Sequence, residues 1–250
     1  MKLLIVNPNT SHSVTELIGN EARRSASPDT ELTLRTATFG VAYIETRAES
    51  AIGAYAVMNE LAEHYQGHDA ALVAAFGDPG LEAAREMLPI PVVGLTESAL
   101  MSAAMLGGRI GIVAISRRIR TWYSETVDRY GMASRLAGIR CLDEPLHDIG
   151  AVQQEKSEQL VALCQAAVHE DGADVLIIAG APLAGLARQV ESHIPVPIVD
   201  GVSCAVRQAE LLTRLNPRPA EAGSYAAPPT KPCQGLSSAL AALVGRESMS

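Results

Sequence analysis

The stretches ALVAAFGDPG, residues 71–80, and VLIIAGAPLAG, residues 175–185, follow one pattern: an unbroken apolar run, a turn of small residues with proline, then a helical periodicity. Near-continuous apolar runs are what strands look like when both faces of a parallel sheet are covered by helices. Two further pairs keep the same order and spacing. LLIVNPNTS at 3–11 is similar to IGIVAISRR at 110–118, and IPVVGLTESA at 90–99 to VPIVDGVSCA at 196–205, all at offsets of about 105 to 107 residues. Three units repeated at one spacing predict two copies of one α/β lobe.

Eight apolar runs occur in all, at 2–7, 31–37, 70–76, 90–95, 109–115, 137–142, 174–180 and 196–201, and each gap between them is long enough for a helix. Antiparallel hairpin signals are absent. The expected fold is α/β, with two pseudo-symmetric lobes, each a parallel four-stranded sheet flanked by helices. Lobe 1 is expected to span 1–95 plus 205–250 and lobe 2 to span 96–204, with the active cleft between them. The Pro- and Gly-rich stretch 216–234 predicts an irregular strap closed by a short helix.

With 250 residues, 48% of them hydrophobic, the chain can bury a large core. A net charge of −8 and only two Arg-Arg pairs provide no basic stripe, so nucleic acid is not an expected partner. The N-terminal apolar run is too short for a signal peptide, and no run of about 18 apolar residues exists to span a membrane, so a cytoplasmic location is expected. The four cysteines, Cys141, Cys164, Cys204 and Cys233, stand far apart, which argues against a disulfide framework or a structural zinc site. His64 and His68 are interrupted by Gly67 and have no evident third ligand, so no metal is expected. Neither a GxGxxG nor a GxxxxGK[ST] motif supports a nucleotide.

In open α/β sheets ligands bind beyond the carboxyl ends of the strands. That rule lines the cleft with residues 7–11, 75–78, 96–98, 116–118, 180–182 and 200–203, and sets Ala75 opposite Gly180.

The ordered set NPNTS (7–11), YIETRAES (43–50), FGDPGL (76–81), PVVGLTESA (91–99), SRR (116–118), RYGM (129–132), IVDGV (198–202), GSYAAPPTK (223–231) and GLS (235–237) resembles the hydantoin and allantoin racemases of the aspartate/glutamate racemase superfamily. The resemblance covers essentially the whole chain. It implies a cofactor-independent enzyme, a homo-oligomer, acting on a small ureide or an amino or carboxylic acid. It also implies two cysteines on opposite faces of the substrate's stereocentre, because inversion needs one group to remove a proton and another to return it from the far side. Those cysteines would align with Ala75 and Gly180, so both are replaced here.

The binding candidates are Asn7, Asn9, Thr10 and Ser11, which offer amides and hydroxyls to a planar ureide or carboxylate or else cap a helix over 12–25. Ala75, Phe76, Gly77, Gly180, Ala181 and Pro182 are expected to form the walls. Ser116 and Arg117, with Arg118, are candidates for gripping a carboxylate, or are merely an exposed helix start. Acid/base candidates are Asp78, either a local cap or a base; Glu97, either a first-turn acid in a TES cap or a base; and Tyr43 and Glu45, which either cover the site or begin a helix capped by Thr46. Cys204 reads as core filler. The leading expectation is a racemase or isomerase whose acid/base chemistry has moved off cysteine. The alternatives are a single-base lyase, decarboxylase or ring-opening hydrolase, and an inactive homologue that only binds ligand.

Overall fold

A computed structural model describes residues 1–143, 149–229 and 231–245. Its eight strands form two parallel four-stranded sheets. β1 (Lys2–Asn7), β2 (Glu31–Thr36), β3 (Ala70–Val73) and β4 (Val92–Gly94) are ordered β2-β1-β3-β4. β5 (Ile110–Ala114), β6 (Leu136–Cys141), β7 (Val175–Ile178) and β8 (Ile198–Asp200) repeat the order as β6-β5-β7-β8. The strands at the centre of each sheet are apolar on both faces because helices cover both, and β1, β3, β5 and β7 are almost wholly buried.

The helices are α1 (His12–Ser25), α2 (Arg47–His64), α3 (Leu81–Met87), α4 (Leu95–Leu106), α5 (Arg120–Arg129), α6 (Val152–Glu155), α7 (Ser157–His169), α8 (Leu186–Val190), α9 (Gly201–Leu215) and α10 (Ser238–Val244). On the first sheet, α1 and α9 bury Ile18, Val202 and Val206 against Leu3, Ile5 and Leu72. α2, α3 and α10 cover the other face through Val57, Leu61, Leu81 and Leu240. Two helices cross over between the sheets. α4 leaves the first sheet and packs on β7 and β8, whereas α9 leaves the second sheet and packs on β3, β4 and α1. α4 and α9 also lie against each other, joined by a hydrogen bond from Gln208 Nε2 to the Ser98 carbonyl at 3.2 Å.

Two runs end earlier than their apolar sequence suggests. β3 stops at Val73 and β7 at Ile178; Ala74 and Ala179 make the last inter-strand bonds, to the Val6 and Val113 carbonyls, and Ala75–Phe76 and Gly180 leave the ladder while still buried or nearly so. Those residues turn towards the space between the sheets. The strap from Asn216 is irregular and mostly exposed, and α10 behind it packs on α2. No described helix is long and apolar enough to cross a membrane.

Candidate functional site

One pocket touches the carboxyl ends of strands from both sheets. It is lined by Asn9, Tyr43, Ile44, Ala75, Phe76, Ile115, Tyr123, Gly180, Ala181 and Pro182. Ala75 and Gly180 therefore share one cavity. At Gly180 a Cβ would fit without a clash, in ordinary contact with Pro182 Cδ at 3.7 Å and the Tyr123 hydroxyl at 3.8 Å. Its φ of +109° nevertheless lies where side-chain-bearing residues are strained. Space without a compatible backbone is what a resident glycine produces.

The cavity holds about 30 Å³, room for about one water. Ligand sites commonly span about 300–1,000 Å³, so this cavity is far smaller than a usual one, and segment 38–46 closes it with Tyr43 and Ile44. That segment is pinned in three ways. The Thr10 N–H donates to the Val41 carbonyl at 2.9 Å, a Thr46/Glu49 capping box starts α2, and Arg47 reaches across to Glu125 on α5. Two larger hollows lie elsewhere, about 220 Å³ beneath the strap beside Arg85 and about 360 Å³ beside β6 around Arg117 and Arg140. Neither touches both sheets.

Asn7 and Asn9 explain the polar turn NPNTS. The Ser11 N–H (2.9 Å) and the Asn7 amide (3.0 Å) both donate to Asn9 Oδ1, while the Asn9 N–H donates to Asn7 Oδ1. With its oxygen engaged in this way, Asn9 keeps its Nδ2 hydrogens for the pocket. Asn7 is buried and structural, also donating to Thr15 Oγ1 at 2.9 Å, and Ser11 caps α1 by accepting from the Val14 N–H. The walls add backbone donors. Among the described residues the N–H groups of Phe76 and Ala181, one from each half, have no protein acceptor. Both residues are buried, so each amide is left to a water or a ligand.

The four acid/base candidates separate. Tyr43 lines the pocket. Glu45 stands half-buried beside it, close enough for its charge to act on the Tyr123 phenol. Asp78 is fully buried outside the cavity, and it caps α4 rather than its own helix. Its carboxylate accepts from the Thr96 and Glu97 N–H groups at 2.9 Å each and from the Tyr130 hydroxyl at 2.7 Å. Burial outweighs those bonds and raises its pKa to about 6. The N-cap of α4 is Gly94, so Thr96 and Glu97 lie inside the helix and the expected TES cap does not form. Thr96 Oγ1 instead accepts from the Gly77 N–H, and Glu97 is clasped by the Arg85 guanidinium, away from the cavity.

The second half solves the same capping problem in reverse. Asp200 at the end of β8 accepts from the Val202 and Ser203 N–H groups of α9 and from the Gly185 N–H of the preceding loop. In the first half the carboxylate comes from the loop and the strand ends in Gly94. In the second half the strand supplies the carboxylate and the loop supplies Gly185. The repeat thus keeps one capping carboxylate per cleft wall while exchanging which segment carries it.

The remaining candidates lie outside the lining. Ser116 accepts from the Arg118 N–H, and Arg117 turns outward to pair with Asp143, its side chain 72% exposed. Gly77 has φ +104°, and any side chain there would enter the Trp122 ring. None of the four cysteines lines the pocket, and burial raises the Cys204 thiol pKa. His68 bonds Thr33 at 2.9 Å and His64 leans towards Glu60, so the two do not converge.

Tyr123, Ile115 and Ile44 are lining residues that the strand-end rule does not select. Tyr123 comes from the first turn of α5, past the strand end, with its ring 4.7 Å from that of Phe76 and 5.4 Å from that of Trp122. The signal available was the adjacent Trp122-Tyr123 pair just beyond the fifth apolar run, in a chain only 4% aromatic.

The sequence pattern of the family described as Asp/Glu/Hydantoin racemase matches residues 3–209. A hydantoin racemase of Paenarthrobacter aurescens is 34% identical, with 92% of this chain and 99% of that protein covered. A second, from Pseudomonas sp. strain NS671, is 33% identical, covering 92% and 93%. The solved structure of an allantoin racemase from Klebsiella pneumoniae superposes with a TM-score of 0.89 at 33% identity, covering 94% of this chain and 96% of that one.

Proposed function

The chain belongs to the Asp/Glu/hydantoin racemase family, and from that premise we propose a cofactor-independent racemase or isomerase acting on a small ureide, with its proton transfers carried by groups other than thiols. Two lobes, 1–95 with 205–250 and 96–204, flank the cleft in this reading. The substrate's stereocentre sits between Ala75 and Gly180, at the positions of the two cysteines that the family resemblance implies. The observation that carries the reading is the single cavity that both small residues line together with Asn9, Tyr43 and Tyr123.

The chemistry follows from the lining. No Lys, Arg, His, Asp or Glu is among the lining residues, so the bound part of the ligand is neutral and planar, matched to the Asn9 amide and the backbone N–H groups. Of the three carboxylates among the acid/base candidates, Glu45 is the one beside the pocket, and we assign it the base, acting at the pocket rim with Tyr43 beside it. Asp78 and Glu97 act at a distance, setting the turn that presents Ala75 and Phe76. A homo-oligomer working in the cytoplasm is part of the same proposal.

A one-faced reaction is the second reading. It is favoured by the asymmetry of the walls, since the Tyr123 hydroxyl stands beside Gly180 while Phe76 and Ile115 are apolar. A lyase or decarboxylase handles a proton on one face only. The two readings separate in deuterated water, with hydantoin substrates and allantoin followed by NMR. Exchange at the stereocentre with loss of optical rotation supports the racemase. Product of changed mass without exchange in recovered substrate supports the lyase, and neither outcome would falsify the pocket alone unless binding is also absent.

A further inference from the structure

Resting on that reading, we propose that the Tyr123 hydroxyl is the hydrogen-bond donor that holds the substrate's carbonyl oxygen, the atom on which negative charge collects as the neighbouring carbon gives up its proton. The ring is fixed before any ligand arrives. Tyr123 is 3% exposed and wedged between Phe76 and Trp122, so its hydroxyl has one direction to point. That direction is the cavity, where the oxygen ends 3.8 Å from the place a Cβ at residue 180 would occupy.

The hydroxyl is also uncommitted. Among the described residues it has no hydrogen-bond partner, whereas the Tyr130 hydroxyl is spent on Asp78 at 2.7 Å. The oxygen is not among the fully buried polar atoms that lack a partner, so it opens onto the cavity, where whatever enters can complete it. Burial, reinforced by the nearby Cys141, Asp78 and Glu45, drives the phenol's pKa upward. It therefore stays protonated at neutral pH and donates. It does not act as the base.

No cationic side chain lines the cavity, so an oxygen gaining charge there is stabilised by dipoles alone, the Tyr123 O–H and the Asn9 amide foremost. Fixed donors in a water-poor site are most effective against charge that develops during reaction. Tyr123 does this from the Gly180 wall, where the absence of a side chain leaves room for the oxygen.

Tyr123→Phe removes the donor and keeps the ring. Wild type and variant are titrated calorimetrically with a 5-monosubstituted hydantoin and with allantoin, and deuterium exchange at the stereocentre and the melting temperature are measured on both. The expected result is an unchanged melting temperature, affinity weakened about tenfold, and exchange slowed about 10²–10³-fold in kcat with a smaller change in KM. If both proteins bind and exchange alike, the role of Tyr123 is overturned and the pocket reading stands. If the wild type binds neither compound, the pocket reading fails and the role of Tyr123 fails with it.

Discussion

Replacing Gly94 with alanine is the sharpest test of how the cleft wall is held. At φ −111° the backbone accepts alanine without strain, so any effect comes from the methyl group. That methyl would stand 2.5 Å from Asp78 Oδ1 and 2.7 Å from Oδ2, well inside contact distance. Asp78 then has to leave the N–H groups of Thr96 and Glu97. Losing a helix cap costs about 0.5–2 kcal/mol, and forcing an extra methyl into a packed site costs about 1–3 kcal/mol. Removing glycine's freedom in the unfolded chain returns about 0.4–1 kcal/mol. The net destabilisation is about 2–3 kcal/mol, which for a chain of this size lowers the melting temperature by roughly 4–12 °C. Urea unfolding of wild type, Gly94→Ala, Asp78→Ala and the double variant measures the coupling. The double variant is expected to be more stable than the sum of the two singles by at least about 1 kcal/mol, because the clash disappears with the carboxylate. Additive effects, or a neutral Gly94→Ala, would refute the cap.

Acidification carries a signature of the same carboxylate. The Asp78 pKa is raised to about 6 from an ordinary 3.8, so the folded chain binds this proton more tightly than the unfolded one. Its contribution is complete below about pH 3.8 and is lost as pH rises through about 6. Wild type is therefore expected to gain stability relative to Asp78→Asn between pH 7 and 5, and parallel urea midpoints over that window would remove the effect. Glu97→Gln strips Arg85 of its partner at a partly exposed site, costing about 1 kcal/mol. It should leave exchange within about twofold of wild type, and a collapse in exchange with an intact fold would make Glu97 the base after all.

The architecture was legible because parallel strands buried on both faces impose a strong local pattern, and because the pattern occurs twice at one spacing. Ala75 and Gly180 could be set opposite each other by that symmetry alone. Asn9, Phe76, Ala181 and Pro182 followed from the strand-end rule. Asp78 was harder, since its partners, the N–H groups of Thr96 and Glu97 and the Tyr130 hydroxyl, lie 18 to 52 residues away. Local sequence read it as a cap for its own turn. Glu97 and Arg117 looked available for a ligand because the sequence does not reveal that Arg85 and Asp143 are their neighbours. Tyr123 reaches the cavity from a helix turn beyond the strand end, a displacement that a rule about strand ends does not contain.

The most direct measurement is deuterium exchange at the stereocentre of a 5-monosubstituted hydantoin or of allantoin, catalysed by a chain in which Cys141, Cys164, Cys204 and Cys233 are all alanine. Proton transfer without sulfur predicts a rate within about threefold of wild type once folding is matched. A fall of about 10²–10⁴-fold, the scale on which a lost acid or base registers, would mean that one of those thiols reaches the substrate and that the cavity between Ala75 and Gly180 is not where the chemistry occurs.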